Sequence, residues 1–92
     1  MMEFLAVSKM KSKVEVILKK NESLSLTKTG LAEALGIKPN LFYRILSGDR
    51  PEPYWLEGVL NDIVEDRLIV QLVNTEQKHT GAPKRSFVIG LR

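Results

Sequence analysis

The sequence contains no cysteine and a single histidine, His79. The absence of cysteine excludes a disulfide scaffold and any thiolate metal site. One histidine without cysteine is too few for the ligand sets that hold zinc, so we expect no metal. The sequence also lacks a phosphate-binding glycine loop and a nucleophile with a nearby histidine. We therefore expect a protein that is not an enzyme and that uses no cofactor.

The sequence has no apolar run that approaches the length of a membrane span. Near the N-terminus the charges follow a short apolar patch, which is the reverse of a signal peptide. Hydrophobic residues make up 43% of the 92 residues and charged residues 27%, a balance typical of a globular chain. We expect one cytoplasmic domain over residues 1–92, with no membrane partner and no small-molecule ligand.

The net charge is only +3, but it is unevenly distributed. Residues 1–20 hold five lysines against two glutamates, and residues 21–50 hold four basic groups against three acidic ones. Residues 51–67 hold five acidic groups and one arginine, whereas residues 68–92 hold four basic groups and one glutamate. This pattern indicates either one basic and one acidic face or scattered solvated charge.

The apolar spacing predicts a first helix that begins after Ser8 and runs to about Lys20. Asn21 is expected to end this helix in the left-handed conformation. The segment 24–26, LSL, alternates and is long enough only for a short strand.

Two more helices are predicted around a glycine. Thr27 or Thr29 caps the first of them, which runs to Leu35 and is closed by Gly36. The next begins with Pro39, whose fixed φ suits a first helical turn, and ends at residue 48.

A fourth helix is predicted from about residue 53 to residue 66, with an apolar stripe formed by Leu56, Val59, Leu60 and Ile63. Tyr54 and Trp55 at its start are expected to be core residues or dimer contacts. The period then changes, because RLIVQLV and RSFVIGL are β-branched and aliphatic. They predict a β-hairpin joined by the polar, basic segment NTEQKHTGAPK.

The two helices around Gly36 carry the pattern that points to a function. Ala32 is small where a crossing helix must come close, and Phe42 and Ile45 follow the glycine as apolar anchors, which fits two helices crossing steeply. With Leu41, Phe42, Ile45 and Leu46 placed inward, the outward set is polar: Lys38, Asn40, Tyr43 and Arg44. Arginine can grip guanine bidentately and asparagine can grip adenine. A generic helical hairpin with an ordinary surface is the alternative.

The segment LAEALGIKPNLFYRIL resembles the helix-turn-helix core of bacterial, archaeal and phage DNA-binding regulators over about residues 28–47. The wider order, in which LNDIVEDRLIV leads into a hairpin and GAPKRSFVIGL returns, resembles a winged helix-turn-helix domain. The implied fold is α+β and mainly α, with about four helices followed by a C-terminal β-hairpin wing. One feature departs from that pattern, because a helix is added between the third helix and the hairpin.

In that family the helix after the turn lies in the major groove and the hairpin tip touches phosphates or the minor groove. The resemblance therefore implies sequence-specific binding of double-stranded DNA by a recognition helix over residues 39–47 and a basic wing. The implied DNA-binding residues are Lys38, Asn40, Tyr43, Arg44 and Arg50 around the helix, and Lys78, His79, Lys84 and Arg85 in the wing. The protein would be a small transcriptional regulator or a plasmid or virus replication or partition factor.

A single recognition helix buries little surface, so a homodimer on a two-fold site is expected. Its contact would be the N-terminal EFLAV segment or the outer side of the hairpin, with Ile69, Val73, Val88 and Leu91.

Two alternatives stand beside this interpretation. The acidic fourth helix could be the recognition helix, although its five carboxylates would repel phosphate. The chain could also be a winged-helix protein–protein interaction module that does not bind DNA.

Overall fold

The computed structural model describes residues 2–76 and 83–92, with side chains described for residues 10–73 and 86–92. The elements are α1 (Met2–Lys20), a 3₁₀ turn (Glu22–Leu24), α2 (Lys28–Leu35), α3 (Pro39–Leu46), α4 (Leu56–Val64), β1 (Leu68–Glu76) and β2 (Pro83–Leu91). This order confirms the predicted α+β, mainly helical fold, in which four helices precede a C-terminal antiparallel hairpin.

The start of α1 was predicted wrongly. The helix begins at Met2 and runs through Ser8, which therefore does not cap it. The apolar residues ahead of Ser8 continue the helix because nothing in that segment breaks it: it contains neither glycine nor proline.

The end of α1 also differs from the prediction. Asn21 has φ −109°, so it is not left-handed. Its side-chain Nδ2 instead donates to the carbonyl oxygen of Ile17 at 2.8 Å, which also accepts a hydrogen bond from the Asn21 backbone amide at 3.1 Å. The predicted short strand at residues 24–26 is wrong as well. The chain forms the 3₁₀ turn there, and the left-handed residue is Ser25, with φ 56°.

The α2–turn–α3 unit follows the sequence signals closely. The Thr27 hydroxyl oxygen accepts a hydrogen bond from the Gly30 amide at 3.1 Å and so caps α2. Gly36 is left-handed, with φ 77°, and its amide donates back to the last turn of α2. Pro39 lies in the first turn of α3. The predicted end of α3 at residue 48 was too late, because the helix ends at Leu46.

Helix α4 is shorter than predicted, since residues 53–55 and 65–66 lie outside it. Two prolines, Pro51 and Pro53, favour extended backbone in the residues before them and delay the helix start. Trp55 is half-buried and packs against the core. Tyr54 is 98% exposed, so the prediction that it is a core residue is wrong.

One apolar core joins the helices to the hairpin. Its fully buried large side chains are Phe42, Ile17, Leu31, Leu56, Leu60 and Val14. Helix α1 packs against α4, and α2 packs against both α3 and β2. From the hairpin, Val70 is buried, and Phe87 and Ile89 pack against the same core.

The two strands pair along their whole length, from Leu68↔Leu91 to Glu76↔Pro83. They are longer than predicted, because residues 74–76 and 83–84 were assigned to the connecting loop and belong to the strands. The register corrects a second prediction. Leu91 faces Leu68 on one side of the sheet, whereas Val88 faces Gln71 on the other side, so Leu91 does not share a surface with Val88.

Candidate nucleic-acid interface

The eight residues of α3 divide sharply into a buried and an exposed side. Phe42, Ile45 and Leu46 are buried, because they are the residues that meet α1 and α2. Residues of an α-helix follow one another about 100° apart, so Asn40 and Arg44 lie within about 40° of each other, opposite the buried side. Both are exposed. The centre of the outward side of α3 is therefore an asparagine next to an arginine.

This pair borders an open groove at the N-terminal end of α3. The groove is lined by Lys38, Pro39, Asn40, Leu41, Arg44 and Arg50. Four of these residues were predicted from the sequence to bind DNA: Lys38, Asn40, Arg44 and Arg50. The structure brings all four together.

Arg50 reaches the groove because the chain after α3 folds back on the helix. The Arg44 carbonyl oxygen accepts hydrogen bonds from the amides of Asp49 at 2.8 Å and Arg50 at 3.3 Å, and from the Ser47 hydroxyl at 3.0 Å. Gly48 allows the turn with φ 85°, a conformation that other residues seldom adopt. This local turn fixes a second arginine beside the first.

The N-terminus of α3 adds to the positive character of the groove. Lys38 is the residue before the helix, and it makes no side-chain capping hydrogen bond, in contrast to Thr27 of α2. The first amides of a helix carry partial positive charge and favour an anion close to the helix end. The groove therefore attracts an anion through the lysine, the two arginines and the helix end together.

Tyr43 lies apart from this groove although it precedes Arg44 in the chain. Its hydroxyl is 2.9 Å from the Thr29 hydroxyl of α2, a hydrogen bond in which either oxygen can be the donor. Tyr43 instead borders a second depression, which is lined by Lys11, Val14, Glu15, Lys28, Tyr43, Leu46 and Ser47. The structure thus places Tyr43 at the edge of α3 that faces α2 and separates it from Arg44.

The acidic segment 51–67 is largely neutralised by two lysines of α1 and by Arg67 at its own end. The ion pairs are Lys13 Nζ–Glu57 Oε1 at 3.2 Å, Lys20 Nζ–Asp66 Oδ1 at 2.8 Å, Arg67 Nε–Asp62 Oδ1 at 2.9 Å and Arg67 Nη1–Glu65 Oε1 at 2.9 Å. Exposed pairs of this kind contribute little stability. Their main consequence is electrostatic, because they cancel the negative charge of the α4 region.

Two of these groups show the pairing in their pKa values. The hydrogen bond from Lys20 lowers the pKa of the Asp66 carboxyl below its ordinary value, with a smaller effect from the charges of Lys20 and Arg92. The hydrogen bond to Asp62 and the negative charge of Glu65 raise the pKa of Arg67. Lys20 Nζ also donates to the Val64 carbonyl at 2.6 Å, which closes the end of α4.

The cations of the groove are arranged differently. Within the described residues, no carboxylate lies within ion-pair distance of Lys38, Arg44 or Arg50. The fold therefore uses other lysines and Arg67 to neutralise the acidic helix and leaves the three cations at α3 open to an external anion.

The predicted wing residues fall in two places. Lys78 and His79 lie outside the described residues. Lys84 and Arg85 pair with Thr75 and Asn74 within the strands, and their side chains lie outside the described part of the chain. The hairpin packs mainly against α2 and α4, whereas α3 packs mainly against α2 and α1.

Three residues at the interface differ from the sequence prediction or were missed by it. Leu41 was placed inward but is 41% exposed and lines the groove, because it lies about 100° from Asn40 at the edge of the buried side. Lys28 was missed, although its position directly after the capping Thr27 could have indicated it. Lys11 was not among the residues predicted to bind DNA, and it lies with Lys28 beside Tyr43.

Over the described residues, no helix is both long and apolar enough to cross a membrane. In the same part of the chain, no group of three or more histidine, aspartate or glutamate side chains could hold a metal ion. No family model, curated protein or solved structure matches the chain. A function has therefore to be argued from the interface itself.

Proposed function

We propose that the protein binds double-stranded DNA, with α3 in the major groove and its outward side against the base edges. The observation that carries this proposal is the pair of Asn40 and Arg44 at the centre of that side, exposed and bordered by two further cations. In the major groove, asparagine forms bidentate hydrogen bonds with adenine and arginine forms them with guanine. The pair lies on a helix that is anchored by its three buried residues.

The phosphate contacts come from the groups around this pair. Lys38 and Arg50 both line the groove, and the N-terminal end of α3 beside Lys38 also favours an anion. Lys28 lies on the other flank of α3, beside Tyr43, and its Nζ is 3.8 Å from Glu15 Oε1, with which phosphate would compete. Contacts of this kind position the protein on the duplex and carry no sequence information of their own.

The distribution of ion pairs supports α3 rather than α4 as the recognition helix. The acidic side chains of the α4 region are held by Lys13, Lys20 and Arg67, and a helix with such a surface offers phosphate little attraction. Helix α3 has no acidic residue of its own. A biological role as a transcriptional regulator, or as a plasmid or virus replication or partition factor, follows from sequence-specific binding.

The first test is a salt titration of binding to random-sequence duplex DNA, followed by fluorescence anisotropy. Neutralising two or three phosphates by Lys38, Arg50 and Lys28 predicts a slope of log K against log salt of roughly −2 to −3 for one copy. An absence of binding at low salt would rule the proposal out.

Two lysine variants make this test specific for the interface. Lys38→Ala should weaken binding to all sequences alike and make the salt slope shallower by about one unit. Lys19→Ala is the matched control, because Lys19 is also exposed but lies on the outer side of α1 with Glu22. Equal effects of the two substitutions would show that binding does not use α3.

A selection from random DNA pools then tests sequence specificity. The proposal expects a short enriched site in which a guanine and an adenine are contacted by Arg44 and Asn40. If the bound sequences showed no preference, the result would contradict the base contacts and would still agree with the phosphate contacts.

A second candidate function is a protein–protein interaction module without DNA binding, and one observation favours it. Leu41, exposed next to Pro39, adds apolar surface to the groove. An apolar surface rimmed by cations also suits an acidic peptide with an apolar anchor. The two candidates separate in the salt titration, because only the DNA-binding protein retains nucleic acid at low salt.

A further inference from the structure

The sheet has two different sides. Strand residues alternate between them, and paired residues share a side. One side holds Leu68, Val70, Leu72, Phe87, Ile89 and Leu91, and most of these residues pack against the core. The other side, here called the outer face, consists of Ile69, Gln71, Val73, Ser86, Val88 and Gly90. None of its three aliphatic side chains belongs to the core of the described residues.

These six residues of the outer face carry no charge, and the next pair on the same side of the sheet, Thr75↔Lys84, lies beyond them. Residues 68–73 and 86–91 contain no acidic or basic side chain, in a chain that is 27% charged. An antiparallel sheet with one side on the core usually carries polar residues on the other side, which faces water. Val88 remains 37% exposed at the middle of this face. Gln71 leaves it uncovered, because its side chain leans over Gly90, where an added Cβ would lie 2.9 Å from Gln71 Oε1.

We infer that the outer face is the contact surface between two copies of this chain. The protein carries a net charge of +3, so two copies meet with the least added repulsion across a surface without charge. A charged partner would leave complementary charges on its docking site, and the outer face has none. The pair Gln71↔Val88 lies at its centre, where a two-fold axis would bring the same patch of both copies together.

The size of the outer face sets the strength of this contact. Six residues of strand span about 20 Å and two paired strands are about 10 Å wide, so the face offers only a few hundred Å² per copy. A stable interface needs roughly 1,000 Å² or more in total. The contact is therefore too small to keep a dimer together in dilute solution, and it acts when two copies are already held side by side.

DNA is what would hold them, and this step rests on the proposed function. Two copies on neighbouring half-sites have a high effective concentration, so a weak contact becomes cooperative binding. Stacked sheets lie about 10 Å apart. In each copy α2, about 10 Å wide, packs on the side of the sheet opposite the outer face, so the two α2 helices lie roughly 30 Å apart. Each α3 lies at most about 10 Å beyond its α2, so the two α3 helices lie roughly 30 to 50 Å apart. This range includes half-sites one helical turn apart, about 34 Å, and excludes two turns.

The contact can be tested without DNA. Amide spectra of the free protein, recorded by NMR from micromolar to millimolar concentration, should show concentration-dependent shifts at Ile69, Val73 and Val88. Val88→Glu should abolish them, because it brings two carboxylates together at the two-fold axis. Val16→Glu is the matched control, since Val16 is 44% exposed on α1 and the charge change is identical. Shifts confined to another surface, or none at millimolar concentration, would overturn the inference.

The consequence for DNA is tested on a duplex with two selected half-sites one turn apart. The second copy should bind about tenfold more tightly than the first, and Val88→Glu should remove this factor while binding to a single half-site stays unchanged. Cooperativity that survives Val88→Glu would contradict the inference alone. A protein that binds neither duplex would contradict the proposed function, and the NMR experiment would still decide whether the outer face joins two copies.

Discussion

Gly30 of α2 lies against the ring of Phe87 in β2 so closely that a Cβ added to Gly30 would be 2.7 Å from Phe87 Cδ2 and 2.9 Å from Cε2. Real Cβ atoms do not approach other atoms to this distance. Because Gly30 has no side chain, α2 can pack this closely against the hairpin. Because α2 also contacts α3, this contact connects the hairpin to the candidate DNA-binding helix through one short element.

Gly30→Ala should therefore destabilise the protein. Alanine is favoured over glycine in a helix by up to about 1 kcal/mol. Forcing a methyl group against a packed ring typically costs about 1–3 kcal/mol, so a net loss of roughly 1 kcal/mol is expected. The free energy of unfolding from urea titration measures it, and an unchanged or increased value would contradict the close contact.

Gly58→Ala provides the opposite expectation on the same measurement. Gly58 lies inside α4, and no atom comes within 4 Å of the position of an added Cβ. The substitution has the helix benefit without the clash, so it should stabilise the protein by about 0.5–1 kcal/mol. A loss of stability would show that the surface of α4 around Gly58 is covered.

Arg44 offers a way to separate charge from base recognition. Arg44→Ala should cost about 1–3 kcal/mol of binding free energy on the selected DNA site and relax the preference at one base pair. Arg44→Lys keeps the charge but loses the bidentate fork, so it should retain binding to random DNA and lose the preference at that base pair. Anisotropy titrations on the selected site and on single-base variants measure both. Equal losses on all sequences would mean that Arg44 contacts phosphate.

Tyr43 should matter less to specificity than its neighbour. Its hydroxyl is already bonded to Thr29, so Tyr43→Phe should leave the selected sequence unchanged and cost at most about 1 kcal/mol of stability. Thr29→Val removes the same hydrogen bond from the other side. The double variant should therefore lose less stability than the two single variants together. A change of DNA preference in Tyr43→Phe would place the hydroxyl on a base instead.

Acid should lower the free energy of unfolding, and part of this loss should come from Asp66. Because its pKa is lowered in the folded state, the stability it contributes is present above the ordinary carboxyl value of 3.8 and is lost as pH falls through the lower folded value. Asp66→Asn should reduce this loss, and asparagine suits the left-handed backbone at this residue, with φ 64°. Unfolding followed from neutral to strongly acidic pH measures the difference. Glu52→Gln, the same charge change at an exposed carboxylate, is the control.

Much of the α2–turn–α3 unit could be predicted because its signals are local. Thr27 caps α2 through its own first turn, Gly36 supplies the left-handed residue after it, and Pro39 starts α3. The polar residues of α3 were also mostly placed correctly, since a helical period separates them from Phe42 and Ile45 with little help from the rest of the chain. The early start of α1 and the 3₁₀ turn were missed because no local signal excludes the alternatives.

The sequence by itself determined four helices, a glycine turn and a hairpin, because backbone preference and apolar periodicity act over a few residues. Only the tertiary structure decided how the charges are used. It pairs Lys13 and Lys20 with carboxylates of the α4 region that lie 44 and 46 residues away along the chain. It brings Arg50 beside Arg44, and it separates Tyr43 from Arg44. These arrangements depend on which helix packs on which, and such long-range contacts leave no periodic trace in the sequence.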